Sequence, residues 1–134
     1  MTRARTVPAL RMILGVLLLL AACSSKPKWK PVVTAPPDGP VEGMASWYGP
    51  GYDGKHTSNG EKYDQDGLTA AHCCWPFDTR LKVTLLSTGK SVVVRINDRL
   101  PRRDRVIDLS RGAARRIGLI GPGTGKVRLE VVGP

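Results

Sequence analysis

A mainly β fold with one or two short helices is the class this sequence predicts, and three observations carry the prediction. Leu81-Lys82-Val83-Thr84-Leu85 alternates apolar and polar residues, Ser87-Thr88-Gly89-Lys90 supplies a turn, and Ser91-Val92-Val93-Val94-Arg95-Ile96 supplies a partner strand, which together form a hairpin signal. Val127-Arg128-Leu129-Glu130-Val131 alternates in the same way and predicts a last strand. Ser110-Arg111-Gly112-Ala113-Ala114-Arg115-Arg116-Ile117 is the one clear helix: Ser110 suits its N-cap, Arg115 and Arg116 suit the C-terminal dipole, and Gly118 can stop it.

The elements follow in chain order. Arg3, Arg5 and Arg11 precede the apolar stretch from Met12 to Ala22, with no acidic residue before it. Eleven residues fall short of the about 20 that a membrane-spanning helix needs, so the segment reads as secretory targeting. Leu20-Ala21-Ala22-Cys23 has the form of a bacterial lipobox, in which small residues fit a peptidase site and the Cys23 thiol takes the lipid. An ordinary secretory signal that happens to precede a cysteine is the plainer alternative. Residues 1–22 are therefore expected to be a lipoprotein signal peptide, and Cys23 the anchor in a membrane.

Residues 23–40 read as a lipidated tether. Five prolines and no apolar period predict an extended, polyproline-like chain at roughly 3 Å per residue, long enough to hold a domain away from the bilayer. Ser24 replaces the aspartate associated with inner-membrane retention in enteric bacteria, which favours a cell-envelope protein on the outer membrane, facing the periplasm. From Val41 the texture changes to short strands and turns, so residues 41–134 form the single folded domain.

The formal net charge of +10 speaks to partners rather than to fold. It favours polyanions, and export makes nucleic acid the wrong one. Carboxylates of peptidoglycan stem peptides and envelope phosphates remain, beside the plainer reading of a solvated basic surface.

Three segments place ionisable groups beside rigid turns. They are Ala45-Ser46-Trp47-Tyr48-Gly49 with His56-Thr57-Ser58-Asn59-Gly60-Glu61-Lys62-Tyr63-Asp64; Leu68-Thr69-Ala70-Ala71-His72 with Pro76-Phe77-Asp78-Thr79; and Val93-Val94-Arg95-Ile96-Asn97-Asp98-Arg99-Leu100-Pro101 with Ile107-Asp108-Leu109-Ser110. In this order, behind a lipobox, they resemble the rare lipoprotein A (RlpA) family, over about residues 43–132. The resemblance implies a six-stranded double-psi β-barrel and a lytic transglycosylase that cleaves the MurNAc-GlcNAc bond of peptidoglycan endolytically, leaving 1,6-anhydromuramoyl ends. No cofactor and no metal are expected. The partners expected are glycan strands and, through Cys23, the membrane; the protein is expected to be a monomer. Many family members carry a C-terminal glycan-binding SPOR module, and none is expected after Pro134. A non-catalytic glycan-binding or expansin-like module and a structural lipoprotein that engages a protein partner are the competing functions.

Glycan cleavage needs a proton donor near the glycosidic oxygen and polar groups to stabilise an oxocarbenium-like transition state. The resemblance assigns this work to the residues matching Asp98, Glu61 and His72: Asp98 as general acid and then base, Glu61 as assisting carboxylate, His72 as orienting imidazole. Burial at a strand end and a second carboxylate nearby would raise the pKa of Asp98, and Arg99 would oppose this if it pointed there. Ser46, Tyr48, Thr57, Asn59, Asn97 and Arg99 are the expected substrate-binding groups, and Trp47, Tyr48 and Tyr63 offer faces on which sugars stack, beside the alternative that at least one of them packs in the core. Each acid/base residue has a structural alternative: Asp98 as a turn acceptor, Glu61 as a solvated residue after a tight turn, His72 as a satisfied structural histidine. His56 is expected to be exposed and without a role.

Two departures from the family pattern stand out. Leu100 occupies the usual glycine position after Asn97-Asp98-Arg99, and a glycine there would permit positive φ and close backbone approach, so leucine is expected to alter the turn or narrow the groove. Asp78 also stands where glycine is usual, a milder change because aspartate tolerates left-handed geometry. Cys73 and Cys74 sit directly after His72 in an oxidising compartment. A vicinal disulfide, two buried thiols and bridges to other molecules are all open readings, whereas a zinc site with His72 lacks the CxxC spacing such sites use.

Overall fold

The computed structural model describes residues 38–101 and 104–134. Six strands close into a barrel: β1 (Val41–Trp47), β2 (Thr69–Ala71), β3 (Arg80–Leu85), β4 (Ser91–Asp98), β5 (Ile107–Leu109) and β6 (Thr124–Gly133), with one helix, α1 (Arg111–Ile117), between β5 and β6. Around the barrel the order is β1-β5-β2-β4-β3-β6. The expected hairpin is β3 and β4, paired antiparallel from Arg80 beside Arg95 to Thr84 beside Ser91. The expected last strand is β6, longer at both ends than its alternating stretch, because it pairs along most of its length with β1 on one side and β3 on the other.

Two pairings are parallel, β1 with β5 and β2 with β4. Parallel neighbours bring the C-terminal ends of both strands to the same rim, and this places the candidate site. Leu81, Val83, Val94, Ile96, Ile107, Leu109, Val127 and Leu129 fill the interior, all essentially inaccessible to solvent. Each such side chain contributes about 1.5–3 kcal/mol of burial.

Helix α1 closes one side of the core with Ala113, Ala114 and Ile117. The Ser110 hydroxyl accepts from Ala113 N–H at 3.2 Å and donates to the Gly67 carbonyl at 2.6 Å, so the cap also ties the helix to the loop before β2. Gly118 ends the helix with φ of 77°, a left-handed cap that glycine adopts without cost to a side chain. The small residue at position 112 is required by packing: a Cβ there would lie 2.5 Å from the Asp66 carbonyl oxygen.

Candidate active site

The parallel β2–β4 pair sets Ala71 beside Asp98. His72, the next residue after β2, and Asp98, the last of β4, therefore leave the barrel together, and the His72 N–H donates to the Asp98 carbonyl at 3.2 Å. The loop over residues 56–62 folds across this rim. A tight turn brings Gly60 N–H to the Thr57 carbonyl at 2.9 Å, with Gly60 at φ of 89°, and His56 pairs with Lys62 across its base. Asn59 N–H then donates to the Asn97 carbonyl at 3.3 Å, which docks the loop on β4.

That docking delivers Glu61 to Arg95. The guanidinium donates from both terminal nitrogens, Nη1 to Oε1 at 2.7 Å and Nη2 to Oε2 at 2.8 Å, and Asn97 Nδ2 adds a third bond at 3.2 Å. Donation from Arg95 first, and from Asn97 second, pulls the Glu61 carboxyl down to about 2. Glu61 is thus a carboxylate at neutral pH with its charge matched, rather than an uncompensated like charge beside Asp98 of the kind expected from the sequence. Arg95 also reaches Asp78 at 3.0 Å. Asp78 holds φ of 72°, the left-handed geometry that its side chain tolerates. Leu68, Arg80, Val93, Val94 and Arg95 line a cavity of about 240 Å³ beside this ion pair.

Asp98 is bonded on one oxygen. Its Oδ1 accepts from the Ser58 hydroxyl at 2.6 Å, the Ser58 N–H at 3.0 Å and the Arg99 N–H at 2.8 Å. Among the described residues nothing donates to Oδ2, so a proton carried by this carboxyl belongs there. The Arg99 guanidinium points elsewhere, donating to the carbonyls of His72 at 3.3 Å and Trp75 at 2.8 Å and lying 3.9 Å from the Phe77 ring centre. Arg99 fastens the turn that follows β2.

His72 is buried, with its ring stacked on Trp75 at 4.2 Å between centres. Its Nδ1 faces two donors, Cys74 N–H at 3.0 Å and Trp75 N–H at 3.2 Å. Two N–H groups aimed at one ring nitrogen require a lone pair on it, which places the ring proton on Nε2. Burial, and then the charge of Arg99, lower the imidazole to about 4, so it is neutral at physiological pH. Cys73 and Cys74 are joined by a disulfide. Among the described residues no group of three His, Cys, Asp or Glu side chains is placed to hold a metal ion.

The remaining expected residues divide into two groups. Thr57 and Asn59 turn inward on their own loop: Thr57 Oγ1 donates to Asn59 Oδ1 at 2.6 Å, which also accepts from Glu61 N–H at 3.1 Å. They shape the loop that carries Glu61. Ser46 donates to Asp108 at 2.6 Å, and Arg105 clamps the same carboxylate at 2.8 and 3.0 Å. Tyr48 packs on Tyr63 at 4.4 Å, and its hydroxyl is raised by burial first and by Tyr63 and Asp98 next. That hydroxyl and Asn97 Oδ1 are buried without a hydrogen-bond partner among the described residues. Trp47 packs half-buried against the core, and His56 is exposed. Leu100 is buried, and its φ is not positive, so the chain passes this position without glycine.

Two contributors were not singled out in the sequence, Ser58 and Arg95. Arg95 carried a signal, as the one charge in the apolar strand from Val92 to Ile96. Ser58 carried none, because its contact with Asp98 spans 40 positions of sequence.

The family profile described as Lytic transglycolase matches residues 40–129. An endolytic peptidoglycan transglycosylase RlpA of Campylobacter jejuni is 58% identical over 94 residues, covering 69% of this chain and 34% of the relative. A probable one from Synechocystis is 60% identical over 91 residues, covering 67% and 28%. The chain thus spans about a third or less of the length of these curated relatives. Among solved structures, Streptomyces papain inhibitor aligns with a TM-score of 0.59 at 19% identity, over 74% of this chain and 99% of that one. A Clavibacter michiganensis expansin aligns at 0.54 and 21% identity, over 69% and 50%. These two share the fold. With the profile lying over the barrel and the rim just described, the chain belongs to the RlpA family, built on a double-psi β-barrel.

Proposed function

We propose that this protein is an endolytic peptidoglycan lytic transglycosylase held in the cell envelope by a lipid on Cys23, on the outer membrane. The observation that carries the reading is the convergence of Asp98, His72 and the Glu61–Arg95 pair on one rim, in a chain 45–60% identical over its barrel to proteins named for this activity. Asp98 is the proton carrier. Its Oδ1 is anchored by three donors and its Oδ2 is left to give a proton to the leaving glycosidic oxygen. The muramoyl C6 hydroxyl then attacks the anomeric carbon, Asp98 takes that hydroxyl's proton, and a 1,6-anhydro ring closes without a water nucleophile. Glu61, held by Arg95 and Asn97, fastens the loop of residues 56–62 against β4 beside Asp98, and neutral His72 offers its Nε2–H as a donor.

Incubation of the purified protein with peptidoglycan glycan, with and without stem peptides, should release anhydromuramoyl ends visible by mass spectrometry. Asp98→Asn keeps an Oδ1 acceptor for Ser58 and removes the transferable proton, so the rate should fall about 10²–10⁴-fold with the fold intact. No anhydro ends from wild type, or as many from the variant, would refute the assignment. A second reading is favoured by the ion pair that withholds Glu61 from proton transfer: a glycan-binding module, like the expansin neighbour whose mutant was solved with cellohexaose. Retention on glycan by both proteins, with no new ends, is its signature.

A further inference from the structure

We propose that the Cys73–Cys74 disulfide is a redox latch on His72, opened by a dithiol and closed by the reverse exchange with an organic disulfide, which gates glycan cleavage. The inference rests on the reading of His72 as a glycan-site residue. The bridge closes a ring across the single peptide bond between the two cysteines, and this restricts the backbone torsions inside it. Cys74 N–H, which belongs to that ring, and Trp75 N–H, which follows it, are the two groups that donate to His72 Nδ1. The covalent ring therefore sets the direction of the donors that fix the imidazole tautomer. Cys73 is an exposed residue, and opening of the latch proceeds by attack on its sulfur. Arg99 holds the His72 and Trp75 carbonyls from the other side, so the turn keeps its place when the ring opens and only the donors lose their aim.

The exchange balances. One thiolate of the dithiol attacks Cys73 Sγ, breaking the protein S–S bond and forming a mixed disulfide while Cys74 leaves as a thiolate. The second thiolate of the reductant then displaces Cys73. The protein gains two electrons and, with the two protons of the reductant, two thiols; the reductant leaves as its own disulfide. With the torsions released, Nδ1 loses its paired donors and Nε2–H loses its fixed direction. A misplacement of this kind should slow cleavage about tenfold or more.

The test uses the full chain in detergent, oxidised and then treated with dithiothreitol, with the state of the peptide containing Cys73 and Cys74 read by alkylation and mass spectrometry. The chain has only two histidines, so long-range proton–nitrogen correlation resolves the His72 ring once His56 is replaced by Gln. The oxidised protein should show the Nε2–H tautomer. Reduction should shift the ring nitrogens and lower glycan cleavage about tenfold, and reoxidation should restore both. Cys73→Ser with Cys74→Ser should stay at the reduced level and ignore dithiothreitol. Unchanged His72 nitrogens after proven reduction overturn the latch, as does unfolding on reduction, which would make the bridge a structural staple. If the His72 signals respond but neither redox form cleaves glycan, the tautomer latch stands and the transglycosylase reading falls.

Discussion

The Glu61 carboxylate and the His72 imidazole both resist taking up a proton, one because Arg95 and Asn97 donate to it, the other because burial and Arg99 disfavour a buried cation. In each case the folded pKa lies below its ordinary value, so the unfolded chain binds more protons in the interval between them and stability is lost as pH falls. His72 contributes this loss from about 6.5 down to about 4, and Glu61 from about 4.5 down to about 2. Melting temperature should therefore fall in two overlapping stages on acidification from neutrality. His72→Gln should flatten the upper stage and Glu61→Gln the lower, and a curve unchanged in either variant would reject that residue's share. Asp98, Glu61 and His72 were legible because the family motifs name them. Their partners were not: which oxygen of Asp98 is occupied depends on a serine brought in by a distant loop, and the charge pairing of Glu61 on the alternation that turns Arg95 toward it.

Helix α1 and the β3–β4 hairpin were legible for a local reason: each carries its own period and its own punctuation, Ser110 and Gly118 for the helix, Ser87 to Lys90 for the hairpin. Strands β2 and β5, of three residues each, show no period that a sequence can display and exist because neighbours on both sides complete their hydrogen bonds. The Ser110 cap joins these two kinds of element. Replacing Ser110 with Ala removes the acceptor for Ala113 N–H and the donor to the Gly67 carbonyl in a fully buried setting. The expected loss is about 1–3 kcal/mol, measured as a lower denaturation midpoint with an unchanged slope. An effect within a few tenths would mean that water or a neighbour replaces the hydroxyl.

At the scale of the whole molecule, strand alternation and turn signals indicated the β class, but the six-strand closure was reached through the family resemblance. Parallel pairing of β1 with β5 and β2 with β4 leaves no local trace to read. Anchoring belongs to this scale too, and Cys23 lies outside the described residues. On the proposed function, Cys23→Ala should move the protein from the membrane fraction of the producing cell to the wash without altering cleavage by the purified protein. Continued sedimentation with membranes would count against lipidation.

The first strand of the barrel has its antiparallel partner in the last one, β1 against β6, from Val41 beside Leu129 to Ser46 beside Thr124. No partial chain can shut the barrel. A polypeptide emerging through a membrane N-terminus first would carry β1 with an open edge until Thr124 and beyond had followed, so folding would be committed late, after nearly all of the domain had crossed. For a chain delivered as an unfolded thread, the seam of the barrel is thus made only when the last of its six strands arrives.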